Sequence, residues 1–312
     1  MKVFTHNFNP RSNSGPNKFT RDLFVKLLNE KGFSLTNQED ADVEFCLIQQ
    51  TSQKKKPMIL RLDGIYFNSA QDYDTQNAPI KASYENSDVV IFQSNFNKAL
   101  TEHWFGKHPN SHVIHNAYFD DLVKDETFQN QMEGREIWSC ASTWRPHKRL
   151  VDNVRYFIKE APESAIFIIA GAGYTEEEKL KIQSMASESN IGDKKIAMLG
   201  NVNYNTLRQL YDASSTFVHL AYLDHCPNVV VDAYAHGCKI VCSDSGGTQE
   251  IGKGFKVVCE KVDTPWDFSP IELYNPPEID FEKSVTSSGE NNSKEMAEKC
   301  LSKYEEIFRS LL

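Results

Sequence analysis

Asp224-His225-Cys226-Pro227-Asn228-Val229-Val230-Val231-Asp232-Ala233-Tyr234-Ala235-His236-Gly237, followed by Ser245-Gly246-Gly247-Thr248, decides how the chain is read. Two carboxylates stand eight positions apart, one just before a helix start at Pro227 and one within that helix. A strand at Lys239-Ile240-Val241-Cys242 and a second, glycine-opened helix follow. Pro227 suits the first helical position, where its missing N–H would be unpaired anyway, and the free N–H groups of the first turn favour an anion. Carboxylates repel phosphate but accept hydrogen bonds from a ribose diol, so Asp224 and Asp232 point to a ligand that carries both phosphate and hydroxyl groups. Taken alone, the stretch also reads as an amphipathic core helix with incidental aspartates.

Length and composition bound the alternatives. A chain of 312 residues can bury one large core or two ordinary ones, and two domains is the better expectation. A net charge of −9 argues against a general nucleic-acid binder, which holds phosphate backbones with excess Lys and Arg. Lys54-Lys55-Lys56 is the one tight basic run and reads as a solvated loop between two apolar segments. The N-terminus Met1-Lys2-Val3-Phe4-Thr5-His6-Asn7 is too short and polar for a signal peptide, and no apolar run is long enough to span a bilayer. The expectation is a cytoplasmic protein, with room for peripheral membrane contact. The seven cysteines include no Cys-x-x-Cys pair and the nine histidines no HExxH, so neither a disulfide framework nor a metal site is expected.

Short apolar runs alternate with helical patterns along the whole chain, the mark of doubly wound α/β domains. Strands are expected at Lys2 to Phe8, Val43 to Ile48, Met58 to Leu62, Val89 to Phe92 and Ser111 to His115. A polar stretch from Asp120 to Arg135 precedes a second series near Ile137 to Ala141, Ala165 to Ala170, Lys195 to Leu199, Thr216 to Leu220, Lys239 to Cys242 and Lys256 to Cys259. The predicted domains are 1–125 and 135–285, with a last helix in 290–312. Asn275-Pro276-Pro277 is expected to close the second series. Two Rossmann-like domains would leave a cleft facing the carboxyl ends of their strands, where ligands bind in open α/β sheets.

Several loops at those strand ends carry chemistry. Ser142-Thr143-Trp144-Arg145-Pro146-His147-Lys148-Arg149 brings three permanent cations to the first strand of the second domain, well placed to neutralise a departing diphosphate. Asn13-Ser14-Gly15-Pro16-Asn17-Lys18-Phe19 joins the first strand to the first helix, and Gly15 permits close backbone approach. Asp63, at the end of Leu60-Arg61-Leu62-Asp63-Gly64, is a candidate for a sugar hydroxyl. Asp72-Tyr73-Asp74 has the Asp-x-Asp form of metal-bridging transferases, but it lies in a polar loop without the strand context such a site needs.

The paired-acid stretch resembles that of the retaining glycosyltransferases of family four, which have a GT-B fold. One branch of that family reads Asp-x-Cys-Pro-Asn-x-Val-x-Glu-Ala-x-Ala-x-Gly, matched here apart from Asp232, where Glu is usual. The resemblance implies transfer of a sugar from a nucleotide diphosphate to a hydroxyl of a glycan or other acceptor, with retention and without a metal or other cofactor. It implies that Arg145, Lys148 and Asp224 are catalytic. Donor binding would fall to Gly15, Cys226, Pro227, Asn228, Val229, Asp232, Gly246 and Gly247, and the acceptor side to Asp63, Ser94 and Asn116. It also implies that the last helix folds back onto the first domain. Lys148 matches the family lysine directly; the usual arginine would fall at Ser142 or Thr143, so Arg145 is a shifted substitute. Together with Asp232, this departure leaves open a non-catalytic sugar-nucleotide-binding protein. A nicotinamide oxidoreductase is disfavoured because Gly171-Ala172-Gly173-Tyr174-Thr175-Glu176 fails the dinucleotide pattern at its third glycine.

Overall fold

The computed structural model describes residues 1–12, 14–120, 122, 134–188 and 191–312. Asn13 and most of the polar stretch expected between the two domains lie outside the described residues. A six-stranded sheet has the order β2-β1-β3-β4-β5-β6, from β1 (Lys2–His6), β2 (Ser34–Leu35), β3 (Val43–Leu47), β4 (Met58–Leu62), β5 (Val89–Phe92) and β6 (Ser111–Val113). A seven-stranded sheet has the order β13-β12-β11-β10-β7-β8-β9. Its strands are β7 (Ile137–Ala141), β8 (Ile166–Ala170), β9 (Lys195–Gly200), β10 (Ser214–His219), β11 (Lys239–Ser243), β12 (Lys256–Glu260) and β13 (Ile279–Thr286). Every pairing is parallel except β12 with β13.

Parallel sheets must be covered on both faces, and the strand sequences supply apolar groups to both. In the first sheet Val3, Val43, Phe45, Ile59, Val89 and Ile91 face α1 (Gly15–Glu30), which buries Phe19, Leu23, Phe24 and Leu27 at helical spacing. Cys46, Met58, Leu60, Val90 and Phe92 face the opposite way, toward α2 (Tyr73–Asn86) and α3 (Asn95–Phe105). In the second sheet Ile137, Ile166 and Ile168 face the side of α6 (Tyr204–Ala213) and α7 (Asn228–Ala235). Trp138, Cys140, Phe167 and Ile169 face α4 (Leu150–Glu160) and α5 (Glu176–Ala186). The last helix, α8 (Ser293–Arg309), packs Cys300, Tyr304, Ile307 and Phe308 into the core of the first sheet beside α1. Among the described residues no helix is long and apolar enough to cross a membrane.

Local details differ from the sequence reading. Asn275-Pro276-Pro277 does not end the second series, because the chain continues into the antiparallel edge strand β13. That strand is missing from the sequence reading because most of its residues are exposed or half-buried and carry no apolar run. The glycine-opened helix after β11 is a single 3₁₀ turn, Thr248–Glu250. Pro227 precedes α7 as its N-cap, with its carbonyl accepting from Val230 N at 3.0 Å.

Polar contacts lock the two sheets together. Glu250 takes the backbone N–H groups of Asn95 (2.7 Å) and Phe96 (2.8 Å), so a second-domain carboxylate caps the N-terminus of α3. The anchor of α8 is testable. Phe308 is fully buried, with its ring 5.3 Å from Phe33 and 5.8 Å from Phe45. Phe308→Ala should destabilise the protein by ~3–5 kcal/mol in urea unfolding, as for other buried Phe truncations. A loss below ~1 kcal/mol would show that the site collapses around the cavity or that α8 is dispensable to the core.

Candidate active site

Two carboxyl-end loops of the second sheet meet at Asp224. The loop after β10 carries Asp224 toward the start of α7, and the loop after β7 closes with a 3₁₀ turn, Pro146–Lys148, that presents Lys148. Lys148 Nζ lies 2.5 Å from Asp224 Oδ2, and His219 Nε2 lies 2.9 Å from the same oxygen. The other oxygen accepts from His225 N at 3.0 Å. Burial alone would raise the Asp224 carboxyl, but Lys148 and His219 outweigh it and hold the group well below the usual carboxylate range. Burial pushes His219 down despite Asp224. At neutral pH Asp224 is therefore a carboxylate, and His219 a neutral imidazole that donates Nε2–H to it. Lys148 and Asp224 keep 18% and 14% of their side chains exposed, so a ligand can reach both.

Asp232 sits on α7 and is only 4% exposed. Lys18 of α1 approaches it to 3.5 Å and Tyr204 donates to it at 3.3 Å, while Lys18 also lies 4.6 Å from the centre of the Tyr204 ring. Burial raises the Asp232 carboxyl against the pull of Lys18. The second acid thus faces the first domain, where Lys18 and Tyr204 contact it. Neither residue stands out from the sequence; Lys18 gave a signal only as a cation one helical turn past Gly15.

The first domain meets α7 through a polar chain. Asn228 Nδ2 donates to Gly15 O at 2.7 Å, and a Cβ on Gly15 would stand 3.0 Å from that amide. Buried Asn116 donates to Asn228 Oδ1 (2.8 Å) and Gln93 Oε1 (3.1 Å), and accepts from Arg61 at 2.8 Å. Arg61 in turn pairs with Asp63. Ser94 accepts from Asn97 N and caps α3. The three residues expected on the acceptor side are thus brought near the cleft, each already engaged by protein groups.

Gly246 and Gly247 are explained by close packing on the acid loop. Gly246 has φ +73, and a Cβ there would lie 2.5 Å from Asp224 O; on Gly247 it would lie 2.2 Å from His225 O and 2.5 Å from Ser94 Oγ. Gly247 N donates to Asp224 O at 2.7 Å, so that N–H serves the loop. Pro227 carries no N–H, and the first turn of α7 leaves the N–H groups of Asn228 and Val229 without intrahelical acceptors. Val229 packs against the core and the Cys226 thiol is buried, its pKa raised to about 12, which rules it out as a nucleophile at neutral pH. Arg145 is exposed and precedes the 3₁₀ turn; among the described residues its side chain forms no ion pair, and it does not share the Lys148 contact. Arg149, next to Lys148 and not singled out in the sequence, fastens this loop instead. It adopts φ +51 and donates to Glu260 (2.5 Å), Leu220 O (3.2 Å) and Pro277 O (2.7 Å). Asp72 caps α2 by accepting from Thr75 N at 3.2 Å, and Asp74 lies in the first turn of that helix.

His147 supplies a pH test of this loop. It is buried, stacks at 5.5 Å on Tyr274 and has no hydrogen-bond partner for Nδ1 among the described residues. Burial first, and Lys148 second, push its pKa down to about 3. An unfolded histidine titrates near ~6.5, so between the two values the unfolded chain binds the extra proton. The contribution of neutral His147 is complete above about pH 6.5 and is lost as pH falls, at up to ~1.4 kcal/mol per pH unit. In urea unfolding at about pH 7, 5 and 4, His147→Gln should show a shallower loss than the unaltered chain. Equal slopes would mean that His147 is not held neutral.

Comparison with known proteins fits this geometry. Residues 125–264, somewhat under half of the chain, match the family model of the glycosyl transferases group 1. No curated protein matches the sequence. HepE of Anabaena, solved with UDP and glucose, is similar with a TM-score of 0.66 and 14% identity, covering 100% of both chains. Sucrose-phosphate synthase of Thermosynechococcus elongatus gives a TM-score of 0.70 at 14% identity, covering 100% of this chain and 99% of the other. WaaG, a glycosyltransferase of lipopolysaccharide biosynthesis, gives 0.59 at 10% identity, covering 97% and 90%. The chain has the GT-B fold, and its second half, which carries Lys148, Asp224 and Asp232, matches the glycosyl transferases group 1.

Proposed function

We propose that the protein is a glycosyltransferase that moves a sugar from a nucleotide diphosphate to a hydroxyl acceptor, with retention at the anomeric carbon and without a metal. The observation that carries this reading is the pairing of Lys148 with Asp224 beside the first turn of α7. In transfer, the bond from the anomeric carbon to the diphosphate oxygen breaks and its electron pair stays on the phosphate. The acceptor oxygen bonds to the same face of that carbon, and its proton goes to the departing phosphate. Lys148, with Arg145 free to turn inward, would meet the growing phosphate charge. Asp224 would accept from a sugar hydroxyl, the N–H groups of Asn228 and Val229 would donate, and Asp232 would accept from the ribose. UDP and glucose in HepE make a nucleotide sugar a reasonable donor class here. A thermal-shift screen against UDP-, GDP-, ADP- and TDP-sugars identifies the donor, because a ligand that binds only the folded state raises its melting temperature.

Two substitutions separate chemistry from binding. Lys148→Ala should lower turnover by about 100- to 1000-fold, the cost of removing one preorganised donor at a developing anion. It should also lower the melting temperature, because Asp224 then keeps only neutral His219 and the His225 N–H; turnover is read at a temperature where the variant stays folded. Asp232→Asn should chiefly weaken the donor and the free nucleotide. Near-normal turnover in Lys148→Ala, or unchanged nucleotide affinity by calorimetry in Asp232→Asn, would remove that residue from its role.

Metal independence gives a separate test. Transfer from a radiolabelled donor should persist in excess EDTA and survive Asp72→Ala combined with Asp74→Ala. Loss of activity in the chelator, restored by Mn²⁺ or Mg²⁺, would overturn the metal-free mechanism.

A further inference from the structure

The segment between β12 and β13, residues 261–278, leaves the second sheet and lies against the first domain. Trp104 Nε1 donates to Phe268 O (2.8 Å), Ser69 N to Ile271 O (2.9 Å) and Ile271 N to Phe67 O (3.1 Å). Trp266 stacks obliquely on Phe67 with ring centres 5.0 Å apart. Between this crossing and the ends of β11 and β12 lies a cleft of ≈ 1120 Å³, large enough for an oligosaccharide segment. One part of its wall is aromatic, from Tyr222, Trp266 and Phe268, and every charged side chain on the wall is a carboxylate. Glu260 is answered by Arg149. Asp263 and Asp267 have no ion-pair partner among the described residues; Asp267 accepts only from Ser269, and Asp263 stands exposed.

The cleft shares a wall with the candidate active site. Ser245 and Gly246 line it, Ser245 Oγ accepts from Leu223 N at 3.2 Å, and Gly246 backs directly onto Asp224 O. A molecule in the cleft would therefore lie across the Leu223–Gly246 backbone from the Asp224 carboxylate, one loop's thickness from the sugar position. Flat aromatic faces cover the C–H faces of sugar rings, and carboxylates accept from their hydroxyl groups. Arg149, behind the wall, offsets Glu260, but Asp244, Asp263 and Asp267 line the cleft with no cation among the lining residues, so a phosphate or carboxylate would meet a net negative field.

We propose that this cleft is the acceptor subsite, and that the acceptor is a saccharide carrying neither phosphate nor carboxylate; the assignment rests on the transferase reading above. The test is binding of the full-length chain to immobilised oligosaccharides grouped as uncharged, amino-bearing, and phosphate- or carboxylate-bearing, with nucleotide binding by calorimetry alongside. Binding should be confined to the first two groups. Trp266→Ala should weaken it by about tenfold, the loss of one aromatic contact, and leave nucleotide affinity unchanged. Asp263→Lys combined with Asp267→Lys, both at exposed positions that leave the core intact, should admit the anionic group. Anionic saccharides bound as tightly as neutral ones by the unaltered chain, or no saccharide bound while nucleotides bind, would overturn the subsite. Saccharide binding without nucleotide binding would instead overturn the donor reading and leave the cleft as a saccharide site.

Discussion

Burial of one carboxylate, Asp224, constrains more of this molecule than any other single feature. An ionised carboxylate drawn out of water must be paired and hydrogen-bonded, and Asp224 meets that demand through Lys148, His219 and the N–H of His225, while its backbone carbonyl separately accepts from the N–H of Gly247. Lys148 comes from the loop after β7, while His219 and His225 flank Asp224 at the end of β10. Satisfying the charge therefore ties the loop after β7 to the end of β10, and the backbone bond to Gly247 adds the loop after β11. Glycine at 246 and 247 follows from the same constraint, since any side chain there would collide with the acid loop.

Around this point polar contacts cross the cleft beside an apolar seam in which Tyr222 and Leu223 are buried in the core of the first sheet. Asn228 reaches Gly15 and Asn116, Lys18 reaches Asp232, and Glu250 caps α3. Such contacts are directional and exchangeable with water, so they specify an arrangement that a ligand with hydroxyl and phosphate groups can compete for. The crossing segment 261–278 adds an aromatic contact on one side only, from Trp266 and Phe268 to Phe67 and Phe96. Closing one side with aromatics and the other with hydrogen bonds gives the cleft two chemically different mouths.

The alternation of short apolar strands with amphipathic helices was legible because a parallel strand buried on both faces reads as a continuous apolar run; β5 and β8 are of this kind. The paired acids, Lys148 and the glycines were legible for another reason: charge and conformational freedom at strand ends are rare and stand out. What escaped notice had no local signature. The strand β13 is largely exposed, and Lys18, Tyr204, Arg149, His219 and Glu250 look like ordinary polar residues until the chain is folded.

By itself the sequence determined the α/β class, most of the strands along the chain and the spacing of the two carboxylates around the start of α7, all of which depend on patterns within a few residues. Only the tertiary structure decided that Asp224 pairs with Lys148, that Asp232 faces Lys18, that Arg61 reaches Asn116, and that residues 261–278 cross to the first domain to wall a cleft. Those outcomes depend on which charged groups burial brings within hydrogen-bonding distance across tens to hundreds of residues, and no local pattern encodes that distance.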